Sequence, residues 1–310
     1  MKKSKFLLAS CLVLASCLHG NSASSDQMVS IGTNRLQFHS EGSGTPVVVI
    51  DAGIADQLDK LKALQARISR VTQVITYNRA GYGQSEAGPL PRDAGREAEE
   101  LRTLLEKASV PGPYVLVGHS LGALVVQVFA ARYPDDVAGM VLLDPPPLSF
   151  LLGRECKDLV PMAEVMTVEW QAIADSAAKS TNPEERERSA FFRMIASEHR
   201  EMFGATARQV AGIQTFADKL LLVMAAGKPN PAFGDIAEAY QKYWIEQSRK
   251  LSEKSTRGRF VIAEGSSHYL YLDVPDLVAK SIISVVHEVR AARHPGDLGT
   301  DCKNAKTFTR

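Results

Sequence analysis

Tyr114-Val115-Leu116-Val117-Gly118-His119-Ser120-Leu121-Gly122-Ala123-Leu124 is the stretch on which the fold of this chain turns. Pro113 to Val117 reads as a short apolar strand buried on both faces. From Ser120 to Tyr133, Leu124, Val125, Val128 and Phe129 recur at helical spacing. Between strand and helix stands Gly118-His119-Ser120-Leu121-Gly122, a G-x-S-x-G pattern in the strand–turn–helix setting of a nucleophile elbow. The reason is steric. A turn this tight strains the serine backbone, and the glycines remove side chains that would meet the adjoining strand and helix. Ser120 is therefore the candidate nucleophile, with the N-terminus of its helix facing a developing anion. A helix-capping serine is the plainer reading, and the buried strand before it argues against that.

Outward from the elbow, strands and helices alternate, which predicts a mostly parallel sheet with helices on both faces. Strands are expected at Arg35 to Ser40, Val47 to Ile50, Gln73 to Tyr77, Val137 to Leu143, Lys219 to Ala225 and Arg259 to Ala263. Helices are expected at Asp56 to Arg70, Arg92 to Ser109, Ile236 to Leu251 and Pro275 to Ala292. From Leu148 to Ala217 the strand pattern stops and a charged, Met-rich, helical stretch follows. It reads as a lid inserted into the sheet domain, with Glu184 to Arg188 as a solvated face. The expected organisation is a core of 28–147 and 218–295, a lid of 148–217 and a tail of 296–310.

The chain has 310 residues, 36 basic against 35 acidic, so a net charge of +1. No basic stripe follows the N-terminus, which argues against nucleic acid as a partner. Residues 1–23 have the three parts of an export signal: Lys2, Lys3 and Lys5, an apolar run from Phe6 to Leu18, then small polar residues. The run is too short to cross a bilayer, which takes roughly 20 residues. Leu14-Ala15-Ser16-Cys17 resembles a bacterial lipobox, in which the cysteine is lipidated and tethers the protein to a membrane. Ordinary cleavage near Ala23 is the alternative. The expected location is outside the cytoplasm, in a bacterial periplasm, on the outer membrane or secreted. Cys156 and Cys302 then remain, as a disulfide stapling tail to lid or as two separate thiols.

A serine needs a base. Of seven histidines, His268 stands out, in Glu264-Gly265-Ser266-Ser267-His268-Tyr269, because a loop after the last strand returns over the edge that carries the elbow. His119 is expected to point away from the Ser120 site. The third member must orient His268. After the penultimate strand, where an aspartate is usual in such a fold, stands Asn230. Asp144, closing the strand after the elbow helix, and Asp235, just past Asn230, are the two candidates, and Asp144 is favoured. Oxyanion donors are expected at Leu121 N–H and, in the Asp51-Ala52-Gly53-Ile54 loop, at Ile54 N–H, with Gly53 permitting an unusual backbone there. Arg79 is expected to anchor the glycine-rich turn Asn78 to Ser85.

These residues resemble the α/β-hydrolase superfamily over nearly the whole mature chain. The resemblance rests on Gly53 after its strand, Arg79-Ala80-Gly81-Tyr82-Gly83-Gln84-Ser85, Gly118-His119-Ser120-Leu121-Gly122, Tyr133-Pro134 through Asp144-Pro145, and Gly265-Ser266-Ser267-His268. It implies an eight-stranded sheet, a lid over the site and hydrolysis without a cofactor or metal. The chain departs from the family pattern at Asp51-Ala52-Gly53, Asn78 and Asn230. The leading expectation is a serine carboxylesterase acting on a small-molecule ester through an acyl-enzyme. An amidase or aminopeptidase of the same fold is the alternative, and a non-catalytic binding module is a third reading. Families with an aspartate nucleophile are disfavoured by Ser120. Phe191, Phe192 and Met194 suit either an apolar substrate group or packing of the lid itself.

Overall fold

Val48, Val49 and Ile50 alternate between two hydrophobic cores, one on each face of a sheet: Val49 joins Leu101, Leu116 and Leu124, while Val48 and Ile50 join Leu64, Val115 and Ile282. This period of two is what a strand covered by helices on both sides requires. Each such side chain contributes about 1.5–3 kcal/mol when fully buried. The computed structural model describes residues 25–156 and 159–293.

The eight strands are β1 (Ser25–Ser30), β2 (Arg35–Glu41), β3 (Val48–Asp51), β4 (Val74–Tyr77), β5 (Tyr114–His119), β6 (Val137–Leu143), β7 (Leu220–Ala226) and β8 (Gly258–Ala263). Their spatial order is β1-β2-β4-β3-β5-β6-β7-β8. β1 and β2 run antiparallel to their neighbours, and the other pairings are parallel. The sheet is thus the eight-stranded, mostly parallel one expected. The strand pattern alone missed β1, whose Ser25-Asp26-Gln27-Met28-Val29-Ser30 is polar and pairs on one side only.

The helices are α1 (Lys62–Ile68), α2 (Ala94–Lys107), α3 (Leu121–Arg132), α4 (Leu148–Leu151), α5 (Val160–Ala178), α6 (Pro183–Met202), α7 (Ala205–Ala211), α8 (Ala237–Ser252), α9 (Leu270–Asp273) and α10 (Pro275–Arg293). Residues of α1 and α10 line one core and those of α2 and α3 the other. Two elements are shorter than their sequence pattern suggests. A 3-10 turn, Leu58–Leu61, replaces the start of the helix expected from Asp56. α2 begins at Ala94 rather than Arg92, because the Asp93 side chain accepts the N–H groups of Gly95 and Arg96 and caps it. Helices α4 to α7 lie between β6 and β7, and the Glu184 to Arg188 run is exposed.

Candidate active site

Ser120 alone makes the turn from β5 into α3, at φ 51° and ψ −118°. This left-handed conformation is costly for a residue with a side chain. It persists because the neighbours leave no other path. A Cβ at Gly118 would lie 2.5 Å from the Gly122 oxygen, and one at Gly122 would lie 2.4 Å from the Asp51 oxygen. The Ser120 N–H donates to Leu143 O at 3.0 Å, fixing the elbow to the end of β6. Leu121 is the first residue of α3, where the backbone N–H has no intrahelical acceptor.

β6 lies beside β5, and Asp144 follows it at φ 46°. Its N–H donates to Met224 O at 2.7 Å, and its Oδ1 accepts the Ala226 N–H at 2.8 Å. Its Oδ2 lies 2.6 Å from His268 Nδ1. A hydrogen on Nδ1 directed at this oxygen leaves the lone pair of a neutral ring on Nε2. Asp144 and His268 are therefore brought together at the sheet edge that carries Ser120. Asp235 is exposed on the 231–236 segment, and no hydrogen bond joins it to His268 among the described residues. Asn230 is exposed at the rim of a cavity of about 110 Å³ beside the pair, which Phe233, Tyr240 and Trp244 also line.

His119 was expected to point away, and its ring does not serve the serine. It lies against His268 instead. The two imidazole centroids are 4.7 Å apart, and His119 Nε2 is 2.9 Å from the backbone oxygen of His268. A carbonyl only accepts, so Nε2 carries the hydrogen. Burial pushes the His119 pKa down, against the pull of the Asp56 carboxylate 3.6 Å from Nδ1, and the balance favours the neutral ring. No periodicity marks this role; its only sequence signal is adjacency to Ser120.

The reason for Gly53 also differs from the expectation. Its backbone is not left-handed; the positive φ, 60°, belongs to Ala55. Gly53 is needed for space, since a Cβ there would sit 2.8 Å from His119 Nδ1 and 3.0 Å from Asp56 Oδ2. Ile54 and Leu121 each lie three residues beyond the paired positions Asp51 and Gly118 of β3 and β5, so the two expected donors follow the ends of neighbouring strands at one edge. Arg79 anchors the first of these loops. Its guanidinium donates to Ala52 O at 2.7 Å, Gly53 O at 2.8 Å and Asp51 Oδ1 at 2.7 Å. Tyr82 OH accepts the Ala55 N–H at 3.1 Å. Burial raises the Asp51 carboxyl above its usual range, opposed by Arg79.

Met194 is buried and rests on Gly81, while Phe191 meets the Tyr82 ring edge-on at 5.2 Å. These apolar residues of α6 pack the insertion onto the turn beneath. Cys17, Cys302, the 1–23 segment and the 296–310 tail lie outside the described residues, and with them the lipidation site and the second half of the expected disulfide. Cys156 is half-buried at φ 52°. Among the described residues no helix is long and apolar enough to cross a membrane. No group of three or more His, Cys, Asp or Glu among them could hold a metal ion.

Known proteins resemble this chain in sequence or in fold. The chain is 27% identical over 248 residues to the uncharacterized protein YqjL of Bacillus subtilis (strain 168), covering 80% of this chain and 86% of that protein. A thermophilic esterase from Thermogutta terrifontis has the same fold, with a TM-score of 0.59 and 18% identity over 86% of this chain and 99% of its own. A membrane phospholipase A, described as a bacterial virulence factor, matches with a TM-score of 0.60 and 19% identity, over 86% of this chain and 87% of its own. At such identities the likeness is one of fold. The family model described as "Alpha/beta hydrolase family" matches residues 18–281, most of the sequence. With the sheet order, the elbow and this match in agreement, the chain belongs to the alpha/beta hydrolase family.

Proposed function

We propose that the protein is a serine hydrolase that cleaves a carboxylic ester through an acyl-enzyme intermediate. The observation that carries the reading is the 2.6 Å contact between Asp144 Oδ2 and His268 Nδ1, at the sheet edge where Ser120 is held in its strained turn. Ser120 Oγ attacks the ester carbonyl, and His268 Nε2 takes its proton. The negative charge that develops on the carbonyl oxygen is held by the N–H groups of Ile54 and Leu121. As the tetrahedral species collapses, His268 returns the proton to the departing alkoxide. Water, deprotonated by the same imidazole, then releases the acid and restores Ser120. Asp144 keeps Nε2 as the basic nitrogen and stabilises the imidazolium. A further proposal is that the protein works after export, which the charge and hydropathy pattern of residues 1–23 supports.

The adjoining cavity of about 110 Å³ supports a small acyl or alcohol group. The names of the esterase and phospholipase neighbours favour ester over amide. Turnover of p-nitrophenyl esters from two to twelve carbons, against aminoacyl p-nitroanilides, tests the reading. The expected result is an initial burst and a preference for the shortest esters. Faster turnover of the anilides would replace it with the amidase reading, and no turnover of either would favour a binding module.

A further inference from the structure

We infer that Glu198, on helix α6 of the insertion, is a positioning residue for the oxyanion loop; the inference rests on the serine-hydrolase reading above. Glu198 is fully buried. Its Oε1 accepts from Arg79 Nε at 3.2 Å. Its Oε2 accepts from the second terminal nitrogen of Arg79 at 3.4 Å and from the Tyr82 hydroxyl.

Those two partners continue to the peptide units on either side of the Ile54 Cα. Arg79 holds the carbonyls of Ala52 and Gly53, just before Ile54. Tyr82 accepts the N–H of Ala55, just after it. The direction of the tyrosine hydrogen matters. A phenol has one hydrogen, and giving it to Glu198 turns the oxygen lone pairs toward Ala55 N–H. Without an acceptor at Glu198, that hydrogen is free to turn toward Ala55 and oppose the Ala55 N–H.

The same carboxyl group orients Arg79, a long side chain that must reach two carbonyls at once. Glu198 thus fixes both flanks of Ile54, whose N–H is the proposed oxyanion donor. It does so from an element 119 positions along the chain from Arg79. Glu198 also offsets the buried charge of Arg79, so an apolar replacement would leave that guanidinium short of an acceptor and cost stability; the readouts below separate this from positioning. The consequence is a link between the insertion and catalysis: displacement of α6 withdraws Glu198 and releases the loop that binds the oxyanion.

Glu198→Gln cannot reproduce the arrangement, because its amide must turn a donor toward either Arg79 or Tyr82. Tyr82→Phe removes the second arm, together with the long Arg79 contact to the Tyr82 oxygen at 3.4 Å, and keeps the ring packed against Phe191. The test starts with labelling of wild type by a fluorophosphonate; failure there refutes the serine-hydrolase reading itself. With wild type labelled, kcat, KM, thermal midpoint and the affinity of a short alkyl trifluoromethyl ketone, which forms a tetrahedral oxyanion on serine, are measured for both variants. Complete loss of an oxyanion donor costs on the order of 10²–10³-fold in kcat, so misplacement of one should cost roughly 10–100-fold. KM is expected to change little, and ketone affinity should fall by the same factor as kcat/KM. If Glu198→Gln does not fold, Tyr82→Phe alone decides. Retained kcat and ketone affinity in the folded variants would overturn the inference. So would a loss of kcat with ketone affinity intact.

Discussion

Asp144 bridges two structural tasks: Oδ1 accepts the Ala226 N–H at 2.8 Å while Oδ2 meets His268 Nδ1 at 2.6 Å. One oxygen therefore fixes the carboxyl group to the end of β7, and the other is left to orient the imidazole. Asp144→Asn keeps an acceptor for Ala226 but presents an amide donor to His268, which favours the wrong tautomer. On the serine-hydrolase reading, kcat on an ester should fall on the order of 10³–10⁴-fold. Asp235→Asn should leave it within twofold. Steady-state kinetics of the two variants check this, and the reverse pattern would assign the acid to Asp235.

His119 lies behind His268. His119→Phe keeps an aromatic ring but removes the N–H that reaches His268 O at 2.9 Å. A stability loss of about 1 kcal/mol is expected. On the serine-hydrolase reading the freed loop carries the base, so kcat should fall roughly tenfold, within the range that small misplacements produce. Urea unfolding and ester kinetics measure both; an unchanged kcat would make His119 merely structural.

Gly53→Ala places a methyl group against His119 Nδ1 and Asp56 Oδ2. Overpacking of this kind costs about 1–3 kcal/mol. The cost should shrink when His119 is also truncated to alanine, because the clash then loses the nearer of its two partners. A double-mutant cycle of unfolding free energies reads the coupling, and strict additivity would refute the contact.

Much of this was legible in the sequence, and the reasons for the rest are specific. Apolar runs and the elbow glycines mark β3, β5, β6 and α3 because their burial is local and periodic. β1 carries no such signal, since only its pairing with β2 makes it a strand. Ser120 and His268 could be singled out by motif and chain order. Ranking Asp144 above Asp235 depended on which strand ends beside His268. The Arg79–Glu198 pair was beyond sequence reasoning, because a glutamate on a charged helix looks the same whether it faces water or a guanidinium from a distant turn. Gly53 was noticed for its backbone freedom, whereas its space is taken by a histidine that follows 66 positions later.

Glu97 offers a test by pH. Burial, reinforced by the nearby Glu198 charge, raises its pKa well above the ordinary 4.5, although Arg79 and Arg92 pull the other way. Neither of its oxygens has a hydrogen-bond partner among the described residues. With the folded pKa above the unfolded one, the folded state holds the proton more tightly. The contribution is complete below about pH 4.5 and is lost as pH rises toward the folded pKa. Glu97→Gln, always neutral, should therefore gain in thermal midpoint over wild type as pH is raised from about 4 to about 9. A gap that narrows or reverses over that range would mean that Glu97 is stabilised as an anion.

The most direct measurement concerns Ser120. Purified protein is treated with a fluorophosphonate, digested and sequenced by mass spectrometry, beside a known serine hydrolase. The predicted result is one adduct on Ser120, absent in Ser120→Ala and much slower to form in His268→Ala. Wild-type protein that stays unlabelled while the control reacts, or that carries its adduct on another residue, would contradict the account.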